Sequence, residues 1–170
     1  MAATSYGITL LVGVALTALL FNPLAALVYI LVWLDILVLA RAAFAESIGF
    51  ELLTLAAIIS GLSFGPAGGF IFSIIGIPVL ASLINAAVFR AFSPRIPSVD
   101  FAAMGIAAGL AGALAASMPF FTAIIIAVIF KHALMNGIRI AMGGGMDYTS
   151  VINILFTAFA LAVIKGAGLI

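Results

Sequence analysis

Long apolar runs separated by short clusters of proline, glycine and charge set the pattern of this chain. Most runs come close to or exceed the ~20 residues that cross a ~30 Å hydrocarbon core. Backbone groups in lipid must hydrogen-bond internally, so such runs are predicted to be helices, with breaks at the polar and Gly/Pro clusters. Seven result: Tyr6 to Phe21, Leu24 to Ala40, Ile48 to Phe64, Gly69 to Phe89, Phe101 to Met118, Phe120 to Met142 and Tyr148 to Ile164. Asn22-Pro23 parts the first two, because proline has no N–H for the helix ladder and restricts the residue before it. Met118-Pro119 is the break on which the count turns. Without it, Phe101 to Phe130 is one tilted helix and the chain has six spans.

Basic residues choose between these arrangements through their excess on cytoplasmic loops. With seven helices Arg41, Arg90, Arg95 and Arg139 share one side, while Asn22-Pro23, Gly65 to Gly68 and Met118-Pro119 on the other carry no charge. Lys165 alone lies near that second side. Seven helices with a cytoplasmic N-terminus is the preferred topology.

Composition strengthens the membrane reading. The chain is 67% hydrophobic and 6% charged, whereas a soluble domain carries roughly 25% charged residues. A water-soluble globule is excluded, and residues 1–170 are expected to be a single all-α domain, a multi-pass helical bundle in a membrane, in all expectation that of a prokaryotic cell. The first run lacks a basic lead-in and a cleavage site, so it is expected to be retained as a span. A net charge of +1 without Lys/Arg clusters argues against nucleic acid and against polybasic recognition of anionic lipid. With no cysteine there is no disulfide, thiolate metal site or cysteine nucleophile.

Gly105, Ala108, Gly109, Gly112, Ala113 and Ala116 fall at three- and four-residue spacing on the fifth helix. Close backbone approach supplies van der Waals packing between helices in lipid, so this face is expected to be buried within the chain. Gly13 and Thr17 give the first helix a smaller face of the same kind, able to dock inside the fold or on a partner subunit.

Ionisable groups within spans cost about 2.5 to 3.5 kcal/mol each on insertion scales, so each needs a reason. Asp35, Glu51, Lys131, His132, Asn136 and Arg139 are the positions that matter. His132, Asn136 and Arg139 are spaced i, i+4, i+7 on one helical face, with Lys131 about 100° round. Asp35 and Lys131 lie about 9 and 16 Å from the same ends of their helices. Glu51 sits near that level, with Asn85 and Asn153 not far off. Two readings stand. Asp35 with Lys131, and Glu51 with Arg139, are neutralising pairs that hold helices in register, or the same groups line a site for a small polar solute or an ion path. Tyr29 and Trp33, four apart, are an aromatic wall beside Asp35 or packing anchors.

Signs of catalysis are scarce. One histidine and scattered carboxylates contain no metal motif. Gly61-Leu62-Ser63-Phe64-Gly65 matches a nucleophile-elbow pattern in letters only, since it ends a membrane helix. Ser63 and His132 fall at different depths. Neither a catalytic residue, a metal site nor a cofactor is assigned.

The stretch from Gly49 to Phe70, with Glu51 opening an apolar helix that runs into Gly61-Leu62-Ser63-Phe64-Gly65-Pro66-Ala67-Gly68-Gly69-Phe70, resembles the substrate-binding S components of energy-coupling-factor vitamin transporters. Gly76 punctuates the helix that follows. Phe130-Lys131-His132-Ala133-Leu134-Met135-Asn136 is similar to polar segments of that group and of the related rod-shape protein MreD. The resemblance covers about a third of the chain. It implies a compact helical module that captures a vitamin-like solute and works with a transmembrane coupling subunit and ATPases. That family has six helices as a rule. The expected function is therefore a membrane component that binds or transports a small solute, with Asp35, Glu51, Lys131, His132, Asn136, Arg139, Tyr29 and Trp33 as its ligand-binding residues. The alternative is a non-catalytic structural subunit of a larger membrane assembly.

Overall fold

A computed structural model describes residues 2–37, 51–89 and 98–168. Arg41, Arg90 and Arg95, which carry the charge argument for topology, lie outside these residues, as do the predicted helix ends at Ala40 and Ile48. Among the described residues the regular structure is all helical. It comprises α1 (Ala2–Leu20), α2 (Pro23–Leu37), α3 (Leu52–Ile71), α4 (Ile77–Phe89), α5 (Val99–Leu114), α6 (Phe120–Ala141) and α7 (Thr149–Gly166), with a π-helical turn at Phe72–Gly76 joining α3 to α4. Three helical stretches, Leu52–Val88, Phe120–Ala141 and Thr149–Gly166, are long and apolar enough to cross a membrane. Tyr6–Leu20, Pro23–Leu37 and Val99–Leu114 are apolar but shorter.

The breaks have local causes. Asn22 accepts the Ala25 N–H through Oδ1 at 2.8 Å, and Pro23 takes the first helical position, so α2 starts with a capped end. After Leu114 the N–H groups of Ser117 and Met118 both close on the Leu114 carbonyl, at 2.9 and 3.0 Å. Pro119 is then extended (φ −55°, ψ 135°), and α6 begins at Phe120. A continuous helix from Phe101 to Phe130 therefore does not form.

Gly65 is the sharpest feature of the backbone. Its φ of 74° and ψ of 177° interrupt α3, and Pro66 restarts the helix. An L side chain is strained at that φ, so glycine is required. Gly61 and Gly69 would stand about 12 Å apart in a straight helix, yet a Cβ on Gly69 would meet the Gly61 backbone. The chain therefore folds back at Gly65.

Residues Leu53 to Gly61 of α3 are buried all round, which marks an element enclosed by other helices. α3 packs on α2, α5, α6 and α7. The α5 contact is the most extensive and uses the predicted small-residue face. Going from Gly112 through Gly109 to Gly105, α5 meets Pro66, then Phe70, then Ile74, an antiparallel approach with almost no side chain between the backbones. Gly13 of α1 likewise lies against the Tyr29 ring, so that face docks within the fold. α6 and α7 run antiparallel, with the Lys165 ammonium 4.2 Å from the centre of the Phe120 ring at one end and His132 beside Asn153 toward the other.

Candidate functional site

The start of α3, the second half of α6 and the start of α7 meet at one end of the bundle, and their polar side chains converge there. Lys131 Nζ donates to Glu51 Oε2 at 2.5 Å and to Thr54 Oγ1 at 2.6 Å. Asn153 Nδ2 donates to the same Glu51 oxygen at 3.3 Å. The Asn153 Oδ1 accepts from Thr157 Oγ1 at 3.3 Å and lies 3.0 Å from His132 Nε2. Lys131, His132, Thr54, Asn153 and Thr157 are all buried. Glu51 is the exposed edge of this chamber, with 28% of its side chain exposed against 4% for Lys131. Local geometry explains the grouping, because Glu51 is the extended N-cap residue of α3, to whose first turn Thr54 belongs, and Asn153 and Thr157, four apart, share a face of α7.

A second polar group closes the α6–α7 connection. Asn136 Oδ1 accepts the Asp147 N–H at 2.8 Å, and its Nδ2 donates to Ser150 Oγ at 3.2 Å. Arg139 pairs with Asp147 at 3.2 Å, with 52% of the arginine side chain exposed. Asp147 Oδ1 also accepts the Thr149 N–H and hydroxyl, at 3.0 and 2.6 Å. The Thr149 hydroxyl, its N–H and the Arg139 guanidinium together hold the Asp147 carboxyl below its ordinary value, against a smaller opposing effect of burial.

Five of the residues singled out in the sequence thus reach this end of α6 in two sets, Glu51, Lys131 and His132 in the chamber, and Asn136 and Arg139 in the connection. Asp35 stands apart. Its Oδ1 accepts the Leu52 N–H at 2.8 Å, so it caps the start of α3 from α2. Tyr29 and Trp33 face α1: the Tyr29 hydroxyl donates to the Thr9 carbonyl at 2.6 Å, and Trp33 Nε1 donates to Thr9 Oγ1 at 3.2 Å. Tyr6 packs edge-on against Trp33 with ring centres 6.3 Å apart. The partners differ from those expected: Lys131 takes Glu51 where Asp35 was expected, and Arg139 takes Asp147. Asn153, placed in the sequence only near the level of the cluster, bridges Glu51 and His132. Thr54 and Thr157 carried no signal, since an isolated threonine in an apolar helix bonds its own backbone as readily as a partner.

A cavity lies elsewhere among the described residues. It is a groove of about 650 Å³ between α1, α2 and the α3–α4 segment, lined by Thr17, Phe21, Ala25, Tyr29, Phe64 and Phe72 among others. The Thr17 hydroxyl is committed to the Gly13 and Val14 carbonyls at 2.8 and 3.2 Å, and that of Tyr29 to Thr9. The groove therefore presents hydrocarbon and suits an acyl chain, not a polar solute. Among the described residues no group of three or more His, Asp or Glu side chains is arranged to hold a metal ion.

Comparison of the chain with protein-family models, curated proteins and solved structures gives no match.

Proposed function

We propose that this protein is a non-enzymatic membrane component that binds a small polar, vitamin-like solute at the chamber formed by Glu51, Thr54, Lys131, His132, Asn153 and Thr157. One observation carries this reading: ionisable and amide side chains from the start of α3, from α6 and from α7 converge in one buried cluster whose edge, at Glu51, is partly exposed. Placing such groups inside a membrane helix is expensive, and a site is the usual reason for them. A solute with donors and acceptors would exchange its bonds to water for bonds to this set. The resemblance of Gly49 to Phe70 to S components supports the same reading and adds a transmembrane coupling subunit and ATPases as working partners, in a multi-pass bundle of six or seven spans. Asp35, Asn136 and Arg139 then serve the site by fixing the helix ends around it, whereas Tyr29 and Trp33 hold α1 to α2 away from it.

The test is thermal unfolding in mild detergent against a panel of water-soluble vitamins. A ligand at a hundredfold excess over its Kd stabilises the folded state by about 2.7 kcal/mol. At least one compound is expected to raise Tm in the wild type, with the effect lost in Asn153→Leu and kept in Ser117→Ala, which is exposed and remote.

A second reading has its own observation. Every buried side-chain nitrogen and oxygen among the described residues has a partner, which suits a structural subunit whose polar groups only pin helices together. A panel with no stabilising compound, together with a second chain that co-purifies stoichiometrically, would decide for that reading.

A further inference from the structure

The hydrogen bonds of the chamber have a direction, and the direction fixes where a proton can bind. A carboxylate only accepts, so Asn153 must meet Glu51 through Nδ2 and turn Oδ1 away from it. That oxygen also only accepts. It takes the Thr157 hydroxyl on one side and faces His132 Nε2 on the other. Nε2 therefore carries the hydrogen, and the lone pair of the neutral imidazole is at Nδ1.

We infer that His132 Nδ1 is a proton-binding site and that Asn153 couples its occupancy to the Glu51–Lys131 pair. The step is a single protonation by hydronium: the Nδ1 lone pair forms an N–H bond, one O–H bond of hydronium breaks and water leaves, and the ring becomes a cation with a hydrogen on each nitrogen. The charges facing the ring are Lys131 on α6, Glu51 at the start of α3 and Asp147 in the α6–α7 connection. Arg139 lies two turns along α6 and is paired with Asp147. α7 brings Asn153, Thr157 and Ser150, its one charged residue, Lys165, being at the far end. α5, packed on α6, carries Asp100 alone, exposed in its first turn. Asp35 of α2 is held on the Leu52 N–H.

With a neutral ring, Glu51 and Lys131 cancel. With a protonated ring the chamber holds two cations to one carboxylate, and the polarised path from imidazolium through the Asn153 amide to Glu51 competes with Lys131 for the same oxygen. Proton uptake at His132 thereby loosens the tie between α3 and α6. If the chamber is also the solute site, as proposed above, solute and proton affinities change each other by the same factor.

The chain contains one histidine, so nitrogen-15 histidine labelling reports this ring alone. The protein in detergent micelles is expected to show the Nε2–H form at pH 8 and to gain the Nδ1 proton as the pH is lowered. The midpoint is expected to move by about half a pH unit or more, in opposite senses, in Glu51→Gln and Lys131→Met. A neutral ring protonated at Nδ1, or a ring that stays neutral down to the pH at which the protein unfolds, overturns the site in the wild type without recourse to a variant. Coincident midpoints in folded variants overturn the coupling. Linkage to solute is read separately, as the Tm increase caused by a vitamin that stabilises the wild type, at pH 5.5 and at pH 8. Equal increases overturn the linkage and leave solute binding intact, while absence of any stabilising vitamin bears on the solute reading alone.

Discussion

Lys131 is held by two acceptors on a neighbouring helix, and its desolvation is offset only while both are present. Removing one partner of a buried pair leaves the other charge uncompensated, at a cost of about 3 to 5 kcal/mol. Glu51 keeps 28% of its side chain exposed, which places this pair at the low end. Lys131→Met is expected to destabilise the protein by about 3 kcal/mol in reversible detergent unfolding, and Lys131→Met with Glu51→Leu by less than either substitution alone. Additive losses would show that the two side chains do not interact. Asp147, in the α6–α7 connection, makes a separate prediction. Its carboxyl is held below 3.8, first by the Thr149 hydroxyl. A depressed carboxyl contributes stability that is complete above its unfolded value and is lost as pH falls through the folded one. The stability difference between wild type and Asp147→Asn should therefore be constant from neutral pH to about pH 5 and shrink below 3.8. A difference that grew on acidification would contradict this assignment.

Helix ends and helix faces answer to different physics, and the sequence discloses them unequally. The breaks at Asn22-Pro23, Gly65-Pro66 and Met118-Pro119 are legible because proline and glycine alter the backbone wherever they stand. The small-residue face of α5 is legible because its spacing repeats. What the sequence leaves open is azimuth between helices. Depth along the helices alone allows Asp35, Glu51 or both as partners for Lys131, and only packing turns α3 rather than α2 toward α6. Asp147 escaped notice for a related reason: it lies in a connection whose path is set by Asn136, eleven residues away. The α3–α5 contact gives the sharpest test at this scale. A Cβ at Gly61 would overlap the Ala108 carbonyl, whereas one at Gly65 meets nothing within 4 Å. Gly61→Ala must push two backbones apart, which costs about 1 to 3 kcal/mol or more. Gly65→Ala pays only for a backbone conformation (φ 74°, ψ 177°) that is essentially reserved for glycine, about 1 to 3 kcal/mol, and Gly166→Ala, in open space, should change little. Unfolding midpoints of the three variants in one detergent give the order directly, and a Gly61→Ala protein as stable as Gly166→Ala would mean that α5 does not lie against α3.

The molecule as a whole is built around α3, with α1 at its margin. α1 packs chiefly on α2 and α4 and turns Leu11, Leu19 and Leu20 outward at 71, 82 and 70% exposure. Between helices in lipid the hydrophobic drive is weak, so docking depends on close approach and polar bonds. For α1 these are Gly13 against the Tyr29 ring, and Thr9 with Tyr29 and Trp33. The chamber of α3, α6 and α7 uses none of them, so α1 is expected to detach without disturbing it. Trp33 is the chain's one tryptophan and is 8% exposed beneath α1, which makes its fluorescence a report on this contact. Gly13→Leu forces a side chain into the Tyr29 ring and should raise quenching of Trp33 by brominated lipid severalfold in reconstituted vesicles. The His132 nitrogen resonances should meanwhile keep their wild-type positions. Unchanged quenching would show α1 docked by other means, and a displaced histidine spectrum would show that margin and chamber form one cooperative unit.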